Sequence, residues 1–174
     1  MGGILAFEVL RQAPDRVKAL ALLGSTARPD TAEMIAYRND AIVLFEQGRV
    51  DEVLQTNLRF VFHPSRLGDE GLVGAYFAMI RRAGAGQLIR QNRAIMARAD
   101  SRPLLPTIRC PVLVVCGDSD ASTPPEYSKE VAAGVPHAQF VQLAECGHLL
   151  TWEKAAEVNA LLTGWLGALP TARS

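Results

Sequence analysis

Pro111-Val112-Leu113-Val114-Val115-Cys116-Gly117-Asp118-Ser119-Asp120 is a short apolar run closed by a Gly-x-x-Asp turn. An apolar run of this length without polar alternation reads as a strand covered on both faces, as in a parallel sheet. Gly117 ends the run, and two carboxylates follow it. Two other segments fit the same sheet: Val17 to Leu23 (VKALALL), which ends at Gly24-Ser25, and Gln139 to Leu143 (QFVQL), a further buried strand that leads into Cys146-Gly147-His148. Helices alternate with these strands. Residues 2–13 carry Ile4, Leu5, Val9 and Leu10 and are closed by Pro14. Thr123-Pro124-Pro125-Glu126 supplies an N-cap, a first-turn proline and a capping glutamate. A last helix, with Thr151 at its start, presents Val158, Leu161, Leu162, Trp165 and Leu166 on one face. Strand–helix alternation of this kind belongs to the α/β class.

Residues 31–99 interrupt the alternation with helical spacing alone. Asp30 and Glu33 form a capping-box-like start, and Gly48 supplies a stop. Val50, Val53, Leu54, Leu58 and Val61 then recur at helical intervals, as do Leu72, Tyr76, Phe77 and Ile80, and Leu88, Ile89, Ile95 and Met96. The expected organisation is a core of residues 1–26 and 101–170 holding about three parallel strands and their flanking helices. Residues 27–100 form a four-helix insertion, and the tail from Pro170 to Ser174 is expected to fray.

Composition narrows the function. The chain has 174 residues, 49% hydrophobic and 21% charged, enough for one domain with a real core. Eighteen basic residues balance 18 acidic ones, so no net field points to nucleic acid or an anionic membrane. No apolar run reaches membrane-spanning length, and the start lacks a secretory signal. Met1-Gly2 does not make a myristoylation motif, because Ala6 stands where Ser or Thr is needed. Three cysteines, Cys110, Cys116 and Cys146, form no short-spaced pair, which fits a reducing, cytoplasmic setting and argues against a metal site at Cys146-x-His148. Seven arginines (81, 82, 90, 93, 98, 102 and 109) with Asp100 read as solvated helix faces whose stems cover apolar surface. The sharper alternative is a surface that attracts a carboxylate or phosphopantetheine-bearing substrate.

A carboxylate loop and a histidine loop both follow strand ends, where open α/β sheets place their active-site crevices. His148 follows the acid loop with one helix and one strand between them, a connection that brings neighbouring strand tips together. Asp118 lies nearer its strand than Asp120 and competes for the acid role. His63 and His137 sit beside prolines and read as surface residues, while Ser25, Ser119, Ser122 and Thr123 read as turn or cap hydroxyls.

The opening Met1-Gly2-Gly3 resembles the second half of the Gly-x-Ser-x-Gly elbow in which α/β-hydrolases hold their nucleophile. Together with Gly117-x-x-Asp120 and Gly147-His148, it makes nearly the whole chain resemble the α/β-hydrolase superfamily. Within it, the likeness is to small-ester carboxylesterases of the pimeloyl-carrier methyl ester esterase type and to enol-lactonases. The resemblance implies a partial α/β-hydrolase sheet with a helical cap, truncated just after the nucleophilic serine. It also implies the order Ser, Asp, His, with Asp120 as the acid and His148 as the base. Met1 takes the oxyanion-hole position, and Gly2 and Gly3 let their helix pack close to the sheet. The expected function is the C-terminal part of a serine hydrolase acting on small-molecule carboxylic esters or lactones, with no cofactor and no metal. One alternative is an inactive remnant that self-associates through an exposed sheet edge. The other is a hydrolase-fold enzyme of another reaction type: acyltransferase, perhydrolase or C–C hydrolase.

Overall fold

The computed structural model describes residues 1–169. Three strands form one parallel sheet in the order β1 (Leu20–Leu23), β2 (Val112–Gly117), β3 (Gln139–Leu143). Leu22 pairs with Val114 across β1 and β2, and Val115 with Val141 across β2 and β3. Every residue of β2 is buried, as a central strand covered on both faces requires. Val112 and Val114 face a layer made by α1 (Gly2–Gln12), a 3₁₀ segment (Arg102–Thr107) and α6 (Pro125–Gly134), whose Phe7, Leu10, Leu105 and Val131 fill that side. Leu113 and Val115 face the opposite layer of α7 (Leu150–Glu153) and α8 (Ala155–Gly167), with Leu150, Val158 and Trp165.

Between β1 and β2 lie four helices: α2 (Ala32–Glu46), α3 (Val50–Val61), α4 (Glu70–Ala83) and α5 (Ala85–Met96). They make apolar clusters of their own. Phe62, Tyr76 and Phe77 join α3 to α4, and Phe45, Val53 and Leu88 join α2, α3 and α5. Leu149 and Trp152 pack on the first of these clusters and link it to the sheet layers. No helix among the described residues is long and apolar enough to cross a membrane. Cys110, Cys116 and Cys146 are all free thiols.

Several local expectations are corrected. The strand expected from Val17 begins at Leu20, because Pro14–Arg16 form a 3₁₀ turn that delays it. β3 is an edge strand and mostly exposed, with Leu143 its one buried residue. Asp30 does not cap α2: Thr31 does, accepting from Met34 N at 3.2 Å. Thr123 does not cap α6, whose cap is Pro124, since the Thr123 side chain turns to Asp120. Thr151 lies inside α7, after the cap Leu149, and the expected last helix is broken at Lys154 into α7 and α8. The tail from Pro170 to Ser174, expected to fray, lies outside the described residues.

Candidate active site

The loops after β2 and β3 meet at the C-terminal end of the sheet because they pass backbone against backbone. A Cβ on Gly117 would lie 2.1 Å from Cys146 O, so no other residue fits there. Ser119 N donates to Cys146 O at 3.0 Å and Asp118 N to Leu143 O at 2.9 Å, stitching the two loops together.

Asp120 is 2% exposed, and all its acceptor capacity is in use. Oδ1 accepts from Ser122 N at 3.0 Å and Thr123 N at 2.8 Å, while Oδ2 accepts from Thr123 Oγ1 at 2.9 Å. His148 Nδ1 lies 2.9 Å from Oδ2. Opposite a carboxylate that can only accept, Nδ1 carries the proton and Nε2 is left as the basic nitrogen. The ring is partly exposed and lines a cavity of ≈ 420 Å³ together with Met1, Gly24, Ser25, Thr31 and Arg98.

Asp118 faces elsewhere. It accepts from Glu145 N at 3.0 Å, Cys146 N at 3.2 Å and Ser119 Oγ at 3.0 Å, so it shapes the histidine loop without touching the imidazole. Partial burial works against its charge, but those donors and the nearby His63 outweigh it and hold the carboxyl below the usual aspartate value.

The histidine loop is also tied to α3. His148 N and Leu149 N both donate to Val61 O, at 2.8 and 3.3 Å, and Ser122 Oγ donates to Phe60 O at 2.7 Å. Glu153 bridges the same junction, one oxygen accepting from Gly147 N at 3.0 Å and the other from His63 N at 2.8 Å. Nothing in the sequence singles out Glu153. It is an ordinary first-turn acid of a short helix whose partners lie 6 and 90 residues away.

The remaining candidates take plain roles. Thr123 Oγ1 is 3.3 Å from His148 Nδ1, on the wrong side of the ring for activation, and its proton goes to Asp120. Ser122 serves Phe60, and Ser119 serves Asp118. Ser25 is buried against Gly3, where a Cβ would come within 1.9 Å of its Oγ, while Gly2 has open space around it. Gly3 alone therefore provides the close helix–sheet approach expected of the pair. His137 is exposed and bonds Cys110 O at 2.6 Å, and His63 is half-buried beside Ser65. Burial, with Glu153 close by, pushes the Cys146 thiol up to about 12. The described residues contain no group of three or more His, Cys, Asp or Glu placed to hold a metal.

Met1 opens on the cavity of His148. Of the seven arginines between 81 and 109, Arg81, Arg93 and Arg102 are exposed and paired with Asp51, Glu46 and Asp100, as solvated helix faces predict. Arg98 is not: its side chain is 9% exposed and lies in the cavity wall.

A family model described as "alpha/beta hydrolase fold" matches residues 1–155. The chain is 28% identical over 178 aligned residues to a 2-hydroxy-6-oxononadienedioate/2-hydroxy-6-oxononatrienedioate hydrolase of a Pseudomonas species, covering 95% of this chain and 60% of that protein. Among solved structures, a thermophilic esterase from Thermogutta terrifontis superposes with a TM-score of 0.92 at 28% identity, covering 98% of this chain and 63% of the other. The enol-lactonase from Burkholderia xenovorans LB400 gives 0.82 at 25% identity, covering 96% and 63%. The chain thus spans about three fifths of the length of the proteins it matches.

Proposed function

The chain belongs to the alpha/beta hydrolase fold family, and on that premise we propose that Asp120 and His148 are the acid and base of a Ser-His-Asp triad that hydrolyses small-molecule carboxylic esters or lactones. The observation that carries this reading is the 2.9 Å contact between a fully engaged buried carboxylate and an imidazole whose ring borders an open cavity. The nucleophilic serine belongs to polypeptide that precedes Met1, and the Met1 backbone nitrogen takes the oxyanion-hole position. In this scheme Nε2 of His148 removes the serine proton as the hydroxyl attacks the carbonyl, and Asp120 stabilises the resulting imidazolium. The proton then passes to the departing alkoxide, and water, activated by the same imidazole, releases the acyl group. Residues 27–100 act as a cap above a core of residues 1–26 and 101–170, and the free thiols suit work in the cytoplasm.

The test is expression of the gene with the codons preceding Met1, followed by assay on p-nitrophenyl acetate and a lactone. Ester or lactone hydrolysis that His148→Ala lowers by about 10⁶ in kcat supports the reading. The chain starting at Met1 should not label with a fluorophosphonate probe. Stoichiometric labelling of that chain, or hydrolysis untouched by His148→Ala, would overturn the proposal.

A second reading, a self-associating module, is favoured by one observation. β1 has a free edge among the described residues, and Leu5 and Val9 on α1 are 58% and 49% exposed. Concentration-dependent dimers in gel filtration support it, and a monomer at all concentrations removes it.

A further inference from the structure

Two arginines share one buried carboxylate in the wall of the cavity that holds His148. Asp30, with its side chain 1% exposed, accepts a hydrogen bond from Arg38 Nε at 2.6 Å. Its other oxygen stands 2.9 Å from Arg98 Nη2, an ion pair without hydrogen-bond alignment. Arg98 Nε donates to Arg28 O at 2.8 Å, and Arg38 Nη1 donates to Asn92 Oδ1 at 3.2 Å. Arg38 Nη2 and Arg98 Nη1 have no acceptor among the described residues.

The trio therefore carries one unmatched positive charge. A third arginine on the same wall, Arg28, is already matched by Glu130 through bonds of 2.7 and 3.1 Å. Asp30 is the one carboxylate among the residues lining this cavity. Holding a guanidinium partly out of water without a full counter-charge is costly, and a ligand anion relieves that cost. The planar fork of arginine matches a carboxylate through two parallel bonds.

Arg38 also stands at a junction. It borders a second cavity of ≈ 370 Å³, walled by Met34, Tyr37, Phe60 and Val61, with the exposed Glu33 at its rim. Met34, Arg38 and Ser122 line both spaces, so the two cavities adjoin at Arg38.

We infer that Arg38, backed by the buried Arg98, binds a carboxylate on the substrate, so that the ester or lactone taken up here is anionic and Arg38 determines its specificity. The inference rests on the hydrolytic reading of the site, but charge recognition can be measured without turnover. Succinate, glutarate and adipate, with their neutral diamides, serve as probes that contain no ester bond. Isothermal titration of the protein as its gene encodes it should show at least one diacid binding about tenfold or more tighter than its diamide. Arg38→Gln should remove that preference and Arg38→Lys should keep part of it. Arg81→Gln, at an exposed residue of α4 paired with Asp51 of α3, should leave affinity unchanged. Circular dichroism checks that each variant is folded, and if Arg38→Gln is not, Arg38→Lys carries the comparison. Equal affinity for diacid and diamide overturns the inference, as does a folded Arg38 variant that keeps the full preference. Diacid preference in a protein that hydrolyses no ester removes the hydrolytic reading alone, and hydrolysis without diacid preference removes this inference alone.

Discussion

Asp118 and Asp120 stand two residues apart on one turn and serve different loops. Asp120 meets the imidazole, whereas Asp118 holds the backbone that delivers it. The carboxyl of Asp118 is held below its ordinary value in the folded chain, so its contribution to stability is complete above the ordinary aspartate pKa. That contribution is lost as pH falls through the lowered folded value. Urea unfolding of Asp118→Asn beside the parent should therefore show a gap at neutral pH that closes in the acid range, and a gap independent of pH would contradict the assignment. At this scale the meeting of Asp120 with His148 was legible, because both follow the tips of neighbouring parallel strands. The separate task of Asp118 was not, since the backbone N–H groups that donate to it come from a turn 27 and 28 residues away. Asp30 was misread for a related reason. Its position before a helix suggests a cap, but Arg38 and Arg98 approach from α2 and the end of α5 and claim it.

Elements meet at the site with little space to give. The turn after β2 lies so close to the histidine loop that Gly117→Ala would drive a methyl group into Cys146 O and Gly147 O. Both acceptors are backbone, so neither side can yield by changing rotamer. The substitution should cost at least about 3 kcal/mol, the upper part of the range for overpacking, as read from chemical denaturation. The helices themselves were readable from apolar spacing, and four do lie between β1 and β2. What spacing could not convey is how the end of α3 is used. Phe60 and Val61 contribute backbone carbonyls, which carry no residue-type signature, and Glu153 acts through contacts that close only once the sheet has formed.

The whole molecule is a small two-sided sheet with a helical segment that keeps its own apolar clusters. Such a division predicts uneven opening. Amides of Val114 and Val115, in a strand buried throughout, should exchange with solvent more slowly than those of α4 and α5, as mass spectrometry of deuterium uptake would show. The parallel sheet was legible from unbroken apolar runs, but the exposure of β3 was not, because an edge position depends on which neighbours a strand finds. The clamp of both loops onto the last turn of α3 has a mechanical outcome. Val61 works as a fixed post: any swing of the helical segment that displaced it would drag the imidazole from its carboxylate. A widening of the cavity that kept the pair together would have to flex at α2 and α5, away from that post.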